Sequence, residues 1–300
     1  LPGELGFYDL RLQETREAQA NLARKYGIDG FCYYYYRMSK GVNIMNQVIK
    51  EILISNQPDI PFMLCWANHS WYAKNWNNKD KSTAPKLLVE QKYGNTEDII
   101  DYFYEILPYF QDERYIKQNN CPVFAIYKPL DIPNVELYTE LWDKLAKENG
   151  FNGIKLLAYS EESKFEEKKL LSKGFKQIIS CRMYATMHNH NQIWRYINAG
   201  IRKILQLPKI IRYQKVIQEM VSDETYQEHI IPTIMPNWDH SPRSGRYGLI
   251  WIKSTPSLFK KHLQMVFERI QHKQNKWVFV KSWNEWGEGN YLEPDRKWQD

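Results

Sequence analysis

The sequence predicts an α/β fold, a (β/α)8 TIM barrel formed as a single domain over residues 1–300. Strand-like and helix-like segments alternate from one end of the chain to the other, which is typical of a parallel sheet covered by helices. The strand-like runs are almost continuously apolar, as expected of strands that are buried on both faces. No shift in composition marks a boundary between two domains.

Seven runs rich in apolar or aromatic residues are predicted to be strands of this sheet. The first reads IDGFCYYYY, and the last, KWVFVKSWNEW, runs into a polar segment. The predicted strands cover residues 28–36, 61–68, 121–129, 154–160, 176–185, 230–239 and 276–286.

Periodic apolar positions predict the helices between these strands. In the segment 11–25, Ala18, Leu22 and Tyr26 recur every four residues before Gly27 ends the helix. The other predicted helices are 42–54, a segment beginning near Asn95, 134–149, the Glu- and Lys-rich stretch between 160 and 176, 191–220 with a break at Pro208, and 256–271.

The competing architecture is a doubly wound open sheet. No GxGxxG or GxxxxGK[ST] motif follows a predicted strand, so the phosphate-binding turn that is usual in such sheets is missing. Polar and aromatic residues cluster directly after strand ends instead, where a barrel has its active site. This placement favours the barrel. The clusters are Asn68 to Trp76, Tyr159 to Glu162, Tyr184 to His190, Asn237 to Arg243 and Asn284 to Glu288.

The predicted strands number one fewer than a (β/α)8 barrel requires. The chain begins with a loop and a helix, and it ends shortly after a strand. We therefore expect the first strand to lie upstream of Leu1 and the last helix downstream of Asp300. The 300 residues are then an excerpt of a longer polypeptide.

Composition narrows the classes of function. The net charge of +6 is scattered along the chain, which is typical of a solvated surface and argues against a nucleic-acid partner. No apolar run approaches the length of about 18 residues that a membrane span needs. Aromatic residues make up 15% of the chain, and their rings can form flat apolar surfaces on which sugars stack.

The cysteines and histidines give no sign of a cofactor. The cysteines, which lack the spacing of zinc ligands, lie in or beside β-like runs. We interpret them as reduced core residues, which favours a reducing, cytoplasmic location. His188 and His190 form an HxH pair without a third ligand nearby in sequence, so no metal is predicted. The cysteines are Cys32, Cys65, Cys121 and Cys181.

The segment SWNEWGEG at the end of the last strand is the strongest candidate for catalysis. Glu285 and Glu288 are close enough in sequence to enter one pocket as the chain turns, and Gly287 and Gly289 permit a tight turn. Flanking tryptophans would raise the pKa of one carboxyl and keep it protonated. Two carboxyls with different pKa values are what cleavage of a glycosidic bond requires. The alternative is a capping glutamate and a surface glutamate.

The segment FVKSWNEWGEGNYLEPD closely resembles the hallmark of WbsX-type proteins, which are related to glycoside hydrolase family 99. The segments LPGELGFYDLR, GIDGFCYYYY, PFMLCWANHSW, CPVFAIYKP and MPNWDHSPRSG agree with it and span nearly the whole chain in the family's order. The resemblance implies a (β/α)8 barrel with a further N-terminal strand.

Family 99 enzymes are retaining endo-acting α-mannan hydrolases with two glutamates in an E-W-x-E arrangement, which Glu285 and Glu288 match here. The resemblance implies that Glu285 deprotonates the 2-hydroxyl of the sugar, which displaces the leaving group as a 1,2-anhydro sugar. Glu288 then protonates the departing oxygen and later activates water. No nucleophile from the enzyme is needed.

Further residues near the predicted strand ends are candidates for binding the sugar. For Asp239 and Arg243 the alternative is a mutual ion pair, for Tyr34 and Tyr36 it is core packing, and for the 66–71 segment it is a packed loop. The predicted substrate-binding residues are Trp66, Asn68, His69, Trp71, Tyr34, Tyr36, Asp239, Arg243, Asn284 and Trp286.

Three functions remain open from the sequence. The first is hydrolysis or transglycosylation of an α-linked oligo- or polysaccharide by the two glutamates. The second is a glycosyltransferase of bacterial surface polysaccharide, O-antigen or capsule, although a DxD and a glycine-rich nucleotide loop are missing. The third is a glycan-binding module without catalysis, against which the presence of both Glu285 and Glu288 argues.

Overall fold

The computed structural model describes residues 1–73, 86–187, 200, 202 and 204–298. The helices and strands of this part of the chain alternate as predicted. The helices are α1 Gln13–Lys25, α2 Gln47–Ser55, α3 Thr96–Gln111, α4 Val135–Glu148, α5 Ser163–Ser172, α6 Tyr213–Met220, the one-turn α7 Ser241–Ser244 and α8 Pro256–Ile270. The strands are β1 Phe31–Ser39, β2 Val42–Ile44, β3 Phe62–Trp66, β4 Trp71–Tyr72, β5 Leu87–Val89, β6 Lys117–Gln118, β7 Cys121–Ile126, β8 Lys155–Ser160, β9 Gln177–Ser180, β10 Lys209–Arg212, β11 Ile230–Ile234, β12 Leu249–Ile252, β13 Phe279–Val280, β14 Asn284–Glu285 and β15 Asn290–Tyr291.

Seven of these strands form one parallel sheet in the order β1–β3–β7–β8–β9–β11–β13, and each corresponds to one of the predicted runs. The middle strands are buried on both faces, because every residue of β3, β9 and β11 is buried. This burial explains why their sequences are continuously apolar. The strand order is that of a (β/α)n barrel, in which each strand pairs with the next along the chain.

Aromatic packing joins the covering helices to the sheet. The Trp142 indole of α4 lies against Tyr102 and Phe103 of α3 and also against Phe124 of β7. All four side chains are almost completely buried. A large part of the aromatic content therefore belongs to the core and not to a ligand surface.

The first and last parallel strands approach each other through side chains. The Phe31 ring of β1 and the Trp283 ring, just after β13, lie 5.3 Å apart between centroids in an edge-to-face arrangement. Within the described ranges, no hydrogen-bonded ladder joins β1 to β13. The sheet is thus mostly parallel and curled, while closure into an eight-stranded barrel stays a prediction.

Three predicted elements are wrong in detail. The segment 42–54 is not one helix, because 42–44 form β2 against β1 and Met45 has a positive φ of 57° before α2 begins. Lys209–Arg212 is a strand that pairs with β12, which the sequence did not predict. The ladder of the last strand covers only Phe279–Val280, since the chain then turns into β14. The first half of the predicted helix 191–220 lies outside the described residues.

All four cysteines are free, but they are not all core residues. Cys65 and Cys181 are buried as predicted, whereas Cys32 is exposed and Cys121 is intermediate. Cys32 and Tyr34 are the exposed residues of the first half of β1, because alternate residues of a strand lie on the same face of the sheet. No helix in the described ranges combines the length and apolar character that crossing a bilayer demands.

Candidate active site

The two glutamates predicted to be catalytic lie next to each other after the last parallel strand. Glu285 ends the short strand β14, and Glu288 closes the one-turn 3-10 helix Trp286–Glu288. The side chain of Glu285 is 39% exposed and that of Glu288 is 17% exposed. Both carboxylates are therefore partly withdrawn from water and still accessible to a ligand.

One guanidinium contacts both carboxylates. Arg243 Nη2 donates to Glu285 Oε1 at 2.6 Å, and Arg243 Nη1 lies 3.4 Å from Glu288 Oε1. His240 Nε2 lies 3.5 Å from the same oxygen of Glu288. The structure thus brings the predicted residues Glu285, Glu288 and Arg243 into one cluster. Arg243 belongs to the one-turn helix α7, which follows β11.

The pKa of Glu285 is raised above its ordinary value. Burial is the largest cause, and the nearby charge of Glu288 adds to the rise. Arg243 and Lys281 act in the opposite direction, since their positive charges stabilise the ionised form. The raised pKa is thus found at Glu285, the residue for which the resemblance implies the role of base, and not at the residue for which it implies the role of proton donor.

The backbone of the carboxylate loop is fixed by the neighbouring loop after β11. The Asp239 N–H donates to the backbone oxygen of Glu288 at 2.7 Å, and Gly289 follows with a φ of 57°. A Cβ at Gly289 would lie 3.0 Å from the Cβ of Asp239. The glycine is therefore required both by its left-handed backbone and by this close approach.

The mutual ion pair of Asp239 and Arg243, the alternative to sugar binding, is not present, and the sugar-binding role of Asp239 stays a prediction. Its carboxylate accepts hydrogen bonds from the Ser241 N–H at 2.9 Å and the Ser241 hydroxyl at 2.6 Å. It does not pair with Arg243, because that guanidinium faces the two glutamates. Asp239 instead shapes the turn that carries Arg243.

Predicted sugar-binding aromatics form a connected group with Tyr127. Tyr36 lies 5.4 Å from Trp71 and 6.3 Å from Tyr34 between ring centroids. Tyr34 and His69 contact Tyr127 at 5.8 and 5.6 Å. Tyr34 is 44% exposed, so core packing is not its role. Glu285 contributes to the raised pKa of Tyr36, which places this tyrosine close to the carboxylate.

Two predicted sugar-binding residues belong to the core. The Trp66 side chain is completely buried, and its indole N–H donates to the backbone oxygen of Arg37 at 2.9 Å. Asn68 is also completely buried, with its amide bonded to the backbone of Lys128 and to the Tyr93 hydroxyl. Neither side chain has polar capacity left for a sugar, so their prediction as substrate-binding residues is wrong.

Asn284 and Trp286 lie in the site, but their polar groups are used internally. Asn284 Nδ2 donates to the Tyr8 hydroxyl at 3.2 Å, and Trp286 Nε1 donates to Glu293 Oε2 at 2.7 Å. The Trp286 ring stacks on Tyr291 with centroids 3.6 Å apart. These contacts orient the two residues that flank Glu285.

Glu293 is a buried carboxylate that the sequence analysis missed. It is 3% exposed and accepts hydrogen bonds from the Tyr8 hydroxyl, Gln19 Nε2 and Trp286 Nε1. Burial raises its pKa, while these donors oppose the rise. The sequence places Glu293 within NYLEPD without any pattern that reveals its partners near the N-terminus.

Lys281 is the second residue that the sequence analysis missed. Its ammonium donates to the Tyr159 hydroxyl at 2.8 Å and lies 3.9 Å from Glu161. It also lies 5.9 Å from the centroid of Trp238. Its position immediately after β13, one residue before the predicted SWNEWGEG segment, was the available signal.

Within the described ranges, no group of three or more His, Cys, Asp or Glu side chains is arranged to hold a metal ion. The pair His188 and His190 lies outside the described residues.

Comparison with known proteins decides the family. The family model described as "Glycosyltransferase WbsX" matches residues 1–300, the whole chain. The chain belongs to the WbsX glycosyltransferase family. Among curated proteins, it is similar to the uncharacterized protein WxcX of Xanthomonas campestris pv. campestris, with 26% identity over 304 aligned residues. The match covers 99% of this chain but only 41% of WxcX, so the WbsX chain spans about two-fifths of that relative.

Solved structures show the fold relationship. One is the GH99 endo-alpha-mannosidase from Bacteroides thetaiotaomicron, with a TM-score of 0.60 and 13% identity over 98% of this chain and 73% of that one. Another, described as a glycoside hydrolase-like protein, has a TM-score of 0.63 and 14% identity over 98% of this chain and 82% of that one. The WbsX chain therefore has a GH99-like fold.

Proposed function

We propose that this WbsX protein is a carbohydrate-active enzyme that cleaves or rearranges an α-linked polysaccharide through Glu285 and Glu288. The observation that carries the proposal is that both carboxylates contact one guanidinium, that of Arg243, at the end of the last parallel strand. Two carboxyls in different environments are the usual equipment for breaking a glycosidic bond. The GH99-like fold supports the same chemistry by analogy.

In this proposal Glu285 is the base. Its raised pKa makes the ionised carboxylate a stronger proton acceptor, and the charge of Arg243 favours the ionised form. It removes the proton of the sugar 2-hydroxyl while that oxygen attacks the anomeric carbon and the bond to the leaving group breaks. The product of this step is a 1,2-anhydro sugar.

Glu288 is the proposed acid and base. It donates its proton to the departing glycosidic oxygen, and the resulting carboxylate is stabilised by Arg243 and His240. In the second step it accepts a proton from water or from a sugar hydroxyl that opens the anhydro ring. Water gives hydrolysis and a sugar gives transglycosylation, so both outcomes use the same residues with net retention of configuration. The substrate class we propose is an α-linked, mannose-containing glycan.

The family's description as a glycosyltransferase favours a second function. In that alternative, the protein transfers a sugar from a nucleotide sugar during assembly of a bacterial surface polysaccharide, O-antigen or capsule. A glycan-binding module without catalysis is less well supported, since the carboxyl pair is intact and partly exposed. The two alternatives differ from the proposal in whether a nucleotide sugar is needed and in which glycan products form.

The deciding experiment incubates the protein with a panel of α-linked oligosaccharides, with and without nucleotide sugars, and reads the products by mass. Release of shorter glycans, or their redistribution, without any nucleotide sugar supports the proposal if Glu288→Gln abolishes it. Extension that occurs only with a nucleotide sugar supports the transferase and contradicts the role given to the carboxyl pair. Binding without any product in either condition supports the glycan-binding module.

A further inference from the structure

We propose that the cavity beside Glu161 is a subsite for one sugar unit without an acidic group, outside the catalytic pair. This inference rests on the proposed function, since it assigns a further part of the same substrate. The cavity measures about 260 Å³ and lies at the carboxyl ends of β7 and β8. Its lining includes Tyr127, Asp131, Tyr159 and Glu161.

The carboxylate of Glu161 has hydrogen-bonding capacity to spare. Its two oxygens lie 3.9 Å from Lys281 Nζ and 4.0 Å from Lys128 Nζ, too far for hydrogen bonds. Within the described part of the chain, neither oxygen of Glu161 accepts a hydrogen bond. The Glu161 side chain is 20% exposed. A partly buried acceptor without a donor is suited to the hydroxyl group of a ligand.

The side chains around Glu161 favour a polyol without an acidic group. Asp131, Glu161, Glu162 and Glu166 line the cavity with Lys128, so an anionic sugar would meet repulsion. In the described part of the chain these carboxylates are not arranged to hold a metal ion. Hydroxyl groups can donate to Glu161 and accept from Lys128 and Lys281. The volume lies just below the range of about 300–1,000 Å³ that is usual for whole-ligand pockets, which fits a single unit of a longer chain.

The cavity is connected to the catalytic pair through shared neighbours. Lys281 approaches Glu161 and also lowers the pKa of Glu285 by its charge. Burial raises the pKa of Tyr184 to about 12, and Glu161 and Glu288 both add to the rise. Lys281 therefore links the cavity to the region of the catalytic pair, and we place the next unit of the glycan on the Glu161 side of it.

The test compares α-linked mannobiose, mannotriose and mannotetraose as substrates of the wild type, Glu161→Ala and Glu161→Gln. We expect the kcat/KM of the wild type to rise with substrate length up to the length at which a mannose unit fills the cavity. Glu161→Ala should lose about tenfold or more of that gain while the shortest cleaved substrate is processed normally, because a charge-assisted hydrogen bond is lost. The matched control is Glu140→Gln on the exposed face of α4. Equal losses on all lengths, or an unchanged length dependence, would overturn the subsite.

Binding separates failure of the subsite from failure of the proposed function. Calorimetric titration with mannotriose should show binding to the wild type and at least tenfold weaker binding to Glu161→Ala. If no oligosaccharide is cleaved but this difference in binding is found, the catalytic proposal fails and the subsite stands. If mannotriose binds both proteins equally, or binds neither, the subsite is refuted. Glu161→Gln, which keeps the side-chain shape, shows whether any loss comes from the charge and not from misfolding.

Discussion

Arg243 is the residue that contacts both candidate catalytic carboxyls. Its guanidinium contacts Glu285 at 2.6 Å and Glu288 at 3.4 Å, so the charge of either carboxylate is partly compensated. The pKa of Glu285 is nevertheless raised, because burial outweighs the cation. Single substitutions can therefore test how burial and the charge of Arg243 together set the pKa of Glu285.

Glu288→Gln tests the role of proton donor. The variant should lose about 10²–10⁴-fold in kcat/KM on glycosides with poor leaving groups and much less on activated aryl glycosides, because only the former need protonation. The measurement is kcat/KM across a series of leaving groups of increasing pKa. Equal losses across the series would contradict the assignment.

Glu285→Gln tests the role of base. Since the 2-hydroxyl must be deprotonated whatever the leaving group, we expect about 10²–10⁴-fold lower kcat on both activated and unactivated substrates. Ligand binding, measured by calorimetry, should persist because the amide keeps the shape of the side chain. Near-normal turnover would remove Glu285 from the mechanism.

Arg243→Met tests the electrostatic balance through pH. The cation lowers the pKa of Glu285, so its removal should raise that pKa further. Because Glu285 acts in its ionised form, the acidic limb of the kcat/KM profile should move to higher pH. Because the Glu285 side chain is 39% exposed, solvent screens part of this effect, and an unshifted acidic limb would contradict the proposed balance. Arg246→Met, whose guanidinium donates to Tyr247, is the control and should leave the profile unchanged.

The sequence predicted the catalytic pair better than the residues around it. Glu285 and Glu288 stand out because two carboxyls follow a strand end in a glycine-rich turn. Trp66 and Asn68 were misassigned because an aromatic and an amide after a strand have the same letters whether they face a ligand or the core. Their burial depends on Tyr93 and on the backbone of Lys128, which are distant in sequence. Pairings of that kind have no local signature.

At the level of elements, the loop from β14 to β15 depends on Gly289. A useful comparison is Gly41, which lies between β1 and β2. Gly289 and Gly41 both have positive φ, of 57° and 71°. A Cβ at Gly41 would meet no atom within 4 Å, whereas one at Gly289 would press on Asp239. The two positions therefore separate backbone strain from steric contact.

Gly289→Ala should destabilise the fold more than Gly41→Ala does. The strain of the left-handed backbone costs about 1 kcal/mol at either position. Contact with Asp239 should bring the loss in free energy of unfolding at Gly289 to about 2 kcal/mol, as measured by urea denaturation. Activity should fall only for Gly289→Ala, because Asp239 also binds the backbone of Glu288. Equal effects of the two substitutions would show that the close approach is unimportant.

Strand identity was easier to predict than strand extent. All seven parallel strands contain apolar runs that only a buried sheet explains. β10 and β12 were missed because they pair with each other in a separate two-stranded sheet, and each has an intermediate or exposed face. Short strands of mixed burial lack the periodicity on which a sequence prediction depends.

At the scale of the whole molecule, the N-terminal segment is bound to the segment that follows the catalytic loop. The Gly3 N–H donates to the Pro294 oxygen at 2.8 Å, and Pro2 pairs with Asp295 in an isolated bridge. The Tyr8 hydroxyl donates to both oxygens of Glu293. The two ends of the described chain thus stabilise the candidate active site together.

Tyr8→Phe tests this connection. The variant leaves buried Glu293 without one of its donors, so the free energy of unfolding should fall by about 1–3 kcal/mol at neutral pH. Burial already raises the pKa of Glu293, and the hydrogen bond from Tyr8 lowers it, so the substitution raises it further. The deficit should therefore shrink at acid pH, where the carboxyl is protonated in both proteins. Urea unfolding at several pH values measures this deficit in the free energy of unfolding. The control is Tyr104→Phe, at an exposed tyrosine. A deficit that does not change with pH would exclude Glu293 as its cause.

The many attachments of the loop that carries Glu285 and Glu288 have a thermodynamic consequence. The loop is fixed at the backbone of Glu288, at Trp286 and, through the Ser282 hydroxyl bound to the Asn290 oxygen, at its base. A segment held at three points has few conformations left to lose. The loop therefore loses its conformational entropy when the protein folds and not when a glycan binds. The glycan then meets carboxylates that are already in place.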